Sequence, residues 1–406
     1  MAGVSDKARF YLERAAPQLQ EFKEKEIFNE EEIRSLVTKR SDFEHLILAP
    51  RARATDFLSY VEWERSLDRL RAKRCRRLNI RSSSSHASQA RTFGIFERAV
   101  LKHPGCIPLW RAYLDFAAEA KASKRWRRII TRALRLHPTS AELWSLAGRR
   151  AADSGDMERA RAHFLRGCRF CTGEPTLWLQ YARCEMGWLA KIEAKKGGKG
   201  VRKGVAVMEA IKATEATNQE GDMISLDDSE DEDEDDLVLP DPEPTKSGKT
   251  VFDEETTKKL EQSPALNGAI PMAIFDIAKK QRFFGPAAAE AFFDLFAGFG
   301  VVSCQDRIIQ HVLDVMQELY PNSAETCSCY IRQPVVGVDV NTVEFPKALR
   351  ESLARLRSTM DRTENKSALA QKLARWADSI LAVEDLDAAL RTVLEHTKRS
   401  MEELSR

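Results

Sequence analysis

The sequence predicts an all-α protein, a solenoid of helical hairpins, and three observations predict it. The phrase RLHPTSAELW at 135–144 returns at a shift of 34 residues in both directions, as LKHPGCIPLW at 101–110 and RFCTGEPTLW at 169–178. A fixed period of that length with two helical patterns inside it is the mark of stacked helix-turn-helix units, each too small to bury its apolar face alone. Phe96, Ala99, Val100 and His103 fall at i, i+3, i+4 and i+7, as do Ile130, Ala133, Leu134 and His137, so one stripe of a helix faces inward. Aromatic residues stand one turn apart in the other helix of each unit: Phe57, Tyr60 and Trp63; Trp110, Tyr113 and Phe116; Trp178 and Tyr181.

Residues 1–85 read as an N-terminal helical domain ending in the first repeat helix, and 86–194 as repeats. At the 34-residue shift Arg91, Arg125 and Arg159 coincide, as do Arg98, Arg132 and Arg166, and Trp110, Trp144 and Trp178. His103-Pro104 and His137-Pro138 end two of the copies, because proline cannot extend a helix, while the third reads Cys171-Thr172. The large rings of Phe57, Tyr60, Trp63, Trp110, Tyr113, Trp144, Trp178 and Tyr181 are expected to fill the gaps between packed hairpins. Residues 195–263 differ in kind: KKGGKGVRKG, SLDDSEDEDEDD and LPDPEPTKSGKT hold too little apolar area to offset the entropy of ordering, which predicts a disordered charged linker. Beyond it, YPNSAETCSCY at 320–330 repeats the cadence of HPTSAELWSLA with Cys327 in the place of Trp144. MAIFDIAKK, AAAEAFFDLFAGFG, LRESLARLRSTM and LAQKLARWADSILAVEDL read as further helices, so 264–406 is expected to continue the array.

Sixty-four basic and 62 acidic residues nearly cancel, yet they are segregated along the chain. The first 20 residues are charged from position 6 and offer no secretory signal, and no run approaches the ~18 apolar residues of a membrane span. Eight scattered cysteines suit a reducing compartment. SGKT at 247–250 lacks the leading glycine and the strand of a phosphate loop. Cys168 and Cys171 have the spacing of half a zinc site with no second half in view, and Cys168 falls in the apolar stripe. No catalytic, metal or cofactor constellation emerges among the histidines and carboxylates, and neither a membrane nor a small-molecule substrate is implied.

Two basic runs are the better functional candidates. One carries Arg69, Arg71, Lys73, Arg74, Arg76, Arg77 and Arg81, and the other Lys124, Arg125, Arg127 and Arg128. Such density suits RNA phosphates or an acidic partner, without base readout. A solvated helix face is the alternative. Ser225 and Ser229 precede acidic residues, the context acidophilic kinases prefer, and a purely solubilising charge run is again the alternative.

The repeat resembles the half-a-TPR (HAT) hairpin, with Trp, Tyr three residues later and Glu at the seventh place, as in Phe57…Glu64 and Trp178…Glu185. The copy around Trp144 drifts toward ordinary TPR. Ahead of it, the helix around Val4 to Leu12, EIFNEEEI, Lys39-Arg40 followed by Phe43-Glu44-His45, and Tyr60-x2-Trp63-Glu64 resemble the opening of one HAT-repeat family. This is the sixth family of U-three small-nucleolar-RNA-associated (UTP) proteins. The resemblance implies a HAT/TPR-like solenoid and a non-catalytic scaffold subunit of the UTP-B subcomplex in the small-subunit processome. It implies a nucleolar location, WD-propeller subunits and other UTP-B subunits as partners, and the U-three snoRNP and pre-ribosomal RNA nearby. A HAT scaffold of splicing or mRNA 3′-end cleavage, or a TPR-type peptide-binding adaptor, is the competing expectation.

Overall fold

The computed structural model describes residues 4–80, 84–197, 268–383 and 386–405. Among them are seventeen α-helices and no strand, the all-α array expected. No described helix is long and apolar enough to cross a membrane. Arg81, Ser225, Ser229, SGKT and nearly all of the acidic insertion lie outside the described residues. The described residues fall into two compact units, one up to Pro138 and the other from Thr139 onward.

The first unit holds α1 (Val4–Glu13), α2 (Ala16–Glu24), α3 (Glu30–Leu48), α4 (Ala54–Arg77), α5 (Ser84–Lys102), α6 (Ile107–Glu119) and α7 (Ser123–Leu136). Local chemistry starts them: the Glu32 carboxylate accepts the Asn29 N–H at 2.9 Å, and Glu30, Glu31 and Glu32 lie in the first turn of α3, where the helix dipole favours acid. Prolines occupy the first turns of α2 and α6, whose N–H groups would lack a helical partner in any case. Helix α4 packs on α5 and α6 on α7, the two hairpins of the unit.

The repeated HP…LW phrase has a physical meaning at these hairpins. His103 Nε2 lies 2.9 Å from the carbonyl of Ala52, and His137 Nε2 lies 2.8 Å from that of Pro104, so each histidine reaches back to the preceding joint. The same Pro104 carbonyl accepts the Trp110 indole N–H at 2.8 Å. Arginines 34 residues apart do matching work: Arg98 grips Glu44, which also accepts the Tyr60 hydroxyl, while Arg132 grips Glu97, which also accepts the Tyr113 hydroxyl. Burial first, and then the neighbouring carboxylates, push both phenols well above the ordinary tyrosine range, so they stay hydrogen-bond donors.

The second unit holds α8 (Ala141–Asp153), α9 (Met157–Phe170), α10 (Pro175–Gly197), α11 (Ala269–Ala278), α12 (Pro286–Ala297) and α13 (Gln305–Leu319). It continues with α14 (Ala324–Arg332), a 3-10 turn at Gln333–Val335, α15 (Phe345–Thr359), α16 (Lys366–Leu381) and α17 (Ala388–Ser405). Successive helices pair as hairpins, α8 with α9 through α16 with α17, and the first helices form a row in which α8 packs on α10, α10 on α12, α12 on α14 and α14 on α16. The acidic insertion interrupts one hairpin, since α10 and α11 are packed neighbours. Cys327, standing where Trp144 stands in the earlier phrase, is 2% exposed and joins the core of α14, α15, α16 and α17.

Small residues set the spacing of α8 to α10. A Cβ added at Gly148 would fall 2.4 Å from the Phe164 ring, and one at Gly167 would fall 2.7 Å from Trp144. His163 is buried beside Trp144, its Nδ1 without a hydrogen-bond partner. Burial, and then the charges of Arg159 and Arg166, hold it down at about 4, against the nearby carboxylate of Asp156. The unfolded chain therefore takes up a proton near pH 6.5 that the folded chain refuses until about 4. We expect this residue to cost the fold up to about 3 kcal/mol as pH falls through that window, a penalty absent above it. Urea unfolding at stepped pH checks this: His163→Leu should remove that part of the acid sensitivity.

Candidate functional site

The basic helix α4 is held in place by residues of α2, α3 and α5. Arg40, 1% exposed, donates from Nε and Nη2 to the Glu64 carboxylate at 2.8 and 3.1 Å, and from Nη2 to Gln18 Oε1 at 3.3 Å. Gln18 also binds Ser88 and accepts from Arg91, whose guanidinium lies 3.7 Å from Glu64. Phe43 stacks on Tyr60 at 4.9 Å with the rings 5° from parallel. At the far end of α4, Arg74 donates both terminal nitrogens to Glu32 at 2.7 Å, bonds the Ile27 carbonyl and lies over the Phe28 ring. That bond, and the Asn29 N–H after it, pull the Glu32 carboxyl down to about 2.

This sorts the basic candidates by role. Arg71 is buried against Asp68 at 2.8 Å and Arg74 is tied to Glu32, so both hold α4 in the fold. Arg69, Lys73, Arg76 and Arg77 are exposed. They recur at i, i+4, i+7 and i+8, on one face spanning ~12 Å of helix. Leu70 on the same helix and Leu78, which caps its end, are 42% and 51% exposed. On α7, Lys124 and Arg127 are exposed, whereas Arg125 lies over the Phe93 ring at 4.9 Å and Arg128 is half-buried. The two clusters belong to the same unit on separate helices, α4 packed on α5 and α7 on α6.

The ring candidates are placed as follows. Phe57, Tyr60, Trp110, Tyr113, Trp144, Trp178 and Tyr181 are all 2% exposed or less, and Trp63 is half-buried. Trp110 meets Arg132 and Trp144 stacks on Phe170, each on the closing helix of its own hairpin, while Trp178 meets Phe283 in the turn after α11. Cys168 and Cys171 are buried, and burial pushes both thiols up, Cys171 to about 11. No group of three or more metal-binding side chains exists among the described residues. Sequence reasoning missed Gln18, Glu97 and Arg161 as structural partners; the pair Arg161–Glu185, at 2.7 Å, is the counterpart in α9 and α10 of Arg40–Glu64.

Fold and surface together define a helical-repeat protein that offers an exposed cationic helix face from a rigidly braced frame. Residues 12–100 match the sequence family described as "U3 small nucleolar RNA-associated protein 6", a span containing the whole Arg40–Glu64 network and all of α4. The chain is 34% identical over 196 residues to the U3 small nucleolar RNA-associated protein 6 of Schizosaccharomyces pombe, covering 47% of this chain and 40% of that one. It is 28% identical over 189 residues to the human homologue of that protein, covering 46% and 32%, and 26% identical over 192 residues to the Dictyostelium discoideum homologue, covering 46% and 31%. The chain thus spans less than half the length of these relatives.

Proposed function

We propose that this chain is a HAT-repeat scaffold of the U3 small nucleolar RNA-associated protein 6 family. In this reading it serves the small-subunit processome as part of the UTP-B subcomplex, in the nucleolus, next to WD-propeller subunits and pre-ribosomal RNA. The observation that carries the reading is the coincidence of the family match at 12–100 with the residues that brace α4. The relatives' names, which record association with U3 small nucleolar RNA, support it further. Residues 195–263 act as a charged linker, and Ser225 and Ser229 are its phosphorylation sites. Purifying the tagged protein from growing cells tests this. Co-elution of U3 RNA with ribosome-assembly proteins is expected; recovery with splicing or 3′-end cleavage factors instead would overturn it.

The exposed face of α4 makes the phosphate or acidic-partner contact. Reversing Arg69, Lys73, Arg76 and Arg77 to Glu should lower the U3 RNA recovered with the chain by at least about tenfold, since each lost phosphate contact releases fewer counterions. Circular dichroism should stay unchanged, because none of the four belongs to the buried network. Arg74→Glu differs in kind: it breaks the bonds to Glu32 and Ile27 and should lower the unfolding midpoint.

A further inference from the structure

The second unit carries a groove that the reading above does not use. It runs between α8 and α10 and encloses about 170 Å³. Its floor is apolar: Ala152, Cys184 and Trp188 pack on the small core of Ala151, Met157 and Ala160. Its rim is cationic, with Arg149, Arg183 and Lys191 exposed around it and Asp153 the one acid in the lining. Asp153 lies 3.9 Å from Lys191 with the two side chains 76% and 63% exposed, a loose pair that leaves the lysine open to another anion. Three cations around an apolar floor suit a ligand that brings negative charge and a flat apolar face together.

Two neighbouring residues shape that floor. The Trp188 ring is half-buried, and Arg161, whose guanidinium lies 5.2 Å from its centroid, is itself bonded to Glu185, so the ring has a fixed backing. Gly187 stands in the middle of α10 and lines the groove, where a glycine weakens the helix relative to alanine. Gly148 and Gly167 are explained by rings that leave no room for a Cβ, but a Cβ at Gly187 would meet nothing within 4 Å. Internal packing does not require this glycine; a ligand lying against the helix at that point would. Arg183, Gly187 and Lys191 recur at i, i+4 and i+8, so a cation stands one turn, ~6 Å, to either side of the gap.

Single-stranded RNA brings this pattern in each nucleotide: a base that stacks on an aromatic ring, with a phosphate before it and after it. A duplex keeps its bases stacked inside and offers none to the floor. An acidic side chain answers the rim and leaves the gap beside Trp188 unfilled.

We propose that the α8–α10 groove is a binding site for single-stranded RNA. One base lies against Trp188 over Gly187, and its flanking phosphates meet Arg149, Arg183 and Lys191. Gln180 is the one amide side chain in the lining, so preference among bases is slight. The proposal rests on the reading that the chain works beside RNA, but its test needs no particle.

The test uses the purified full chain carrying Arg69→Glu, Lys73→Glu, Arg76→Glu and Arg77→Glu, so that the cations of α4 do not contribute. A labelled single-stranded oligouridylate is the probe, and an RNA duplex of the same length and polyglutamate are the competitors. The oligouridylate should bind this chain. Adding Arg183→Glu with Lys191→Glu should weaken binding at least about tenfold and flatten the slope of log affinity against log salt by about 1.4, which is ~0.7 for each lost phosphate. Trp188→Leu should weaken binding at least about fivefold by removing the stacking ring. Gly187→Leu should weaken it at least about tenfold while the unfolding midpoint holds or rises, since leucine favours helix over glycine, and it serves if Trp188→Leu misfolds. Absence of binding, or binding indifferent to the groove variants, overturns the proposal whatever the tagged particle contains. So does a duplex that competes as well as the single strand, which marks a phosphate patch without stacking, or displacement by polyglutamate as readily as by unlabelled oligouridylate, which marks an acidic-peptide groove. Groove-dependent binding beside a particle that lacks U3 RNA would support this site and overturn the proposed function alone.

Discussion

Trp144→Ala should lower the stability of the second unit by about 3–5 kcal/mol, the range for deleting a large buried ring where the surroundings cannot collapse. The indole is fully buried, stacks on Phe170 at 6.0 Å with the rings 13° apart, and lies 6.4 Å from the His163 ring. Gly167 brings the α9 backbone against the indole, where even a Cβ would fall 2.7 Å from it. Urea unfolding followed by helical circular dichroism measures the loss. Trp63→Ala, at a half-buried ring, should cost clearly less. A loss near zero at Trp144 would mean that its ring is not part of the hairpin's core.

Glu64→Ala should be comparably severe in the first unit, about 3–5 kcal/mol, because it strands a buried charge. Arg40 is 1% exposed, donates to both oxygens of the Glu64 carboxylate, and already has Nη1 buried without a hydrogen-bond partner. Arg91, 3.7 Å from the same carboxylate, would lose its counter-charge too. A double-mutant cycle separates the lost pair from the stranded charge. Arg40→Met with Glu64→Leu should recover much of the loss, as apolar replacement of buried ion pairs often does. If the double variant is as weak as Glu64→Ala alone, the network is more than an ion pair and Gln18 carries part of it.

The hairpins were legible because a helix repeats every 3.6 residues and its apolar stripe is written locally: Phe96, Ala99 and Val100 are buried as their spacing requires. The Cys327 phrase was legible for the same reason, although no indole marks it. What stayed hidden are pairings with no local signal. Arg98 and Arg132 were visible as a 34-residue coincidence, but their carboxylates stand 54 and 35 residues upstream, and only the fold brings them together. The basic run of α4 shows the opposite difficulty: composition counts Arg71 and Arg74 with their neighbours, while Asp68 and Glu32 withdraw them from the surface. EIFNEEEI and Lys39-Arg40, read as family marks, turn out to be halves of contacts to α4.

Crosslinking within particles purified through the tagged chain tests the central claim most directly, that the exposed cations of the braced helix α4 form the docking face. Crosslinks to U3-associated RNA or to neighbouring subunits should concentrate on Arg69, Lys73, Arg76 and Arg77 and fall away in the charge-reversed chain. Particles in which those residues stay free of crosslinks while other surfaces of the chain are engaged would contradict it.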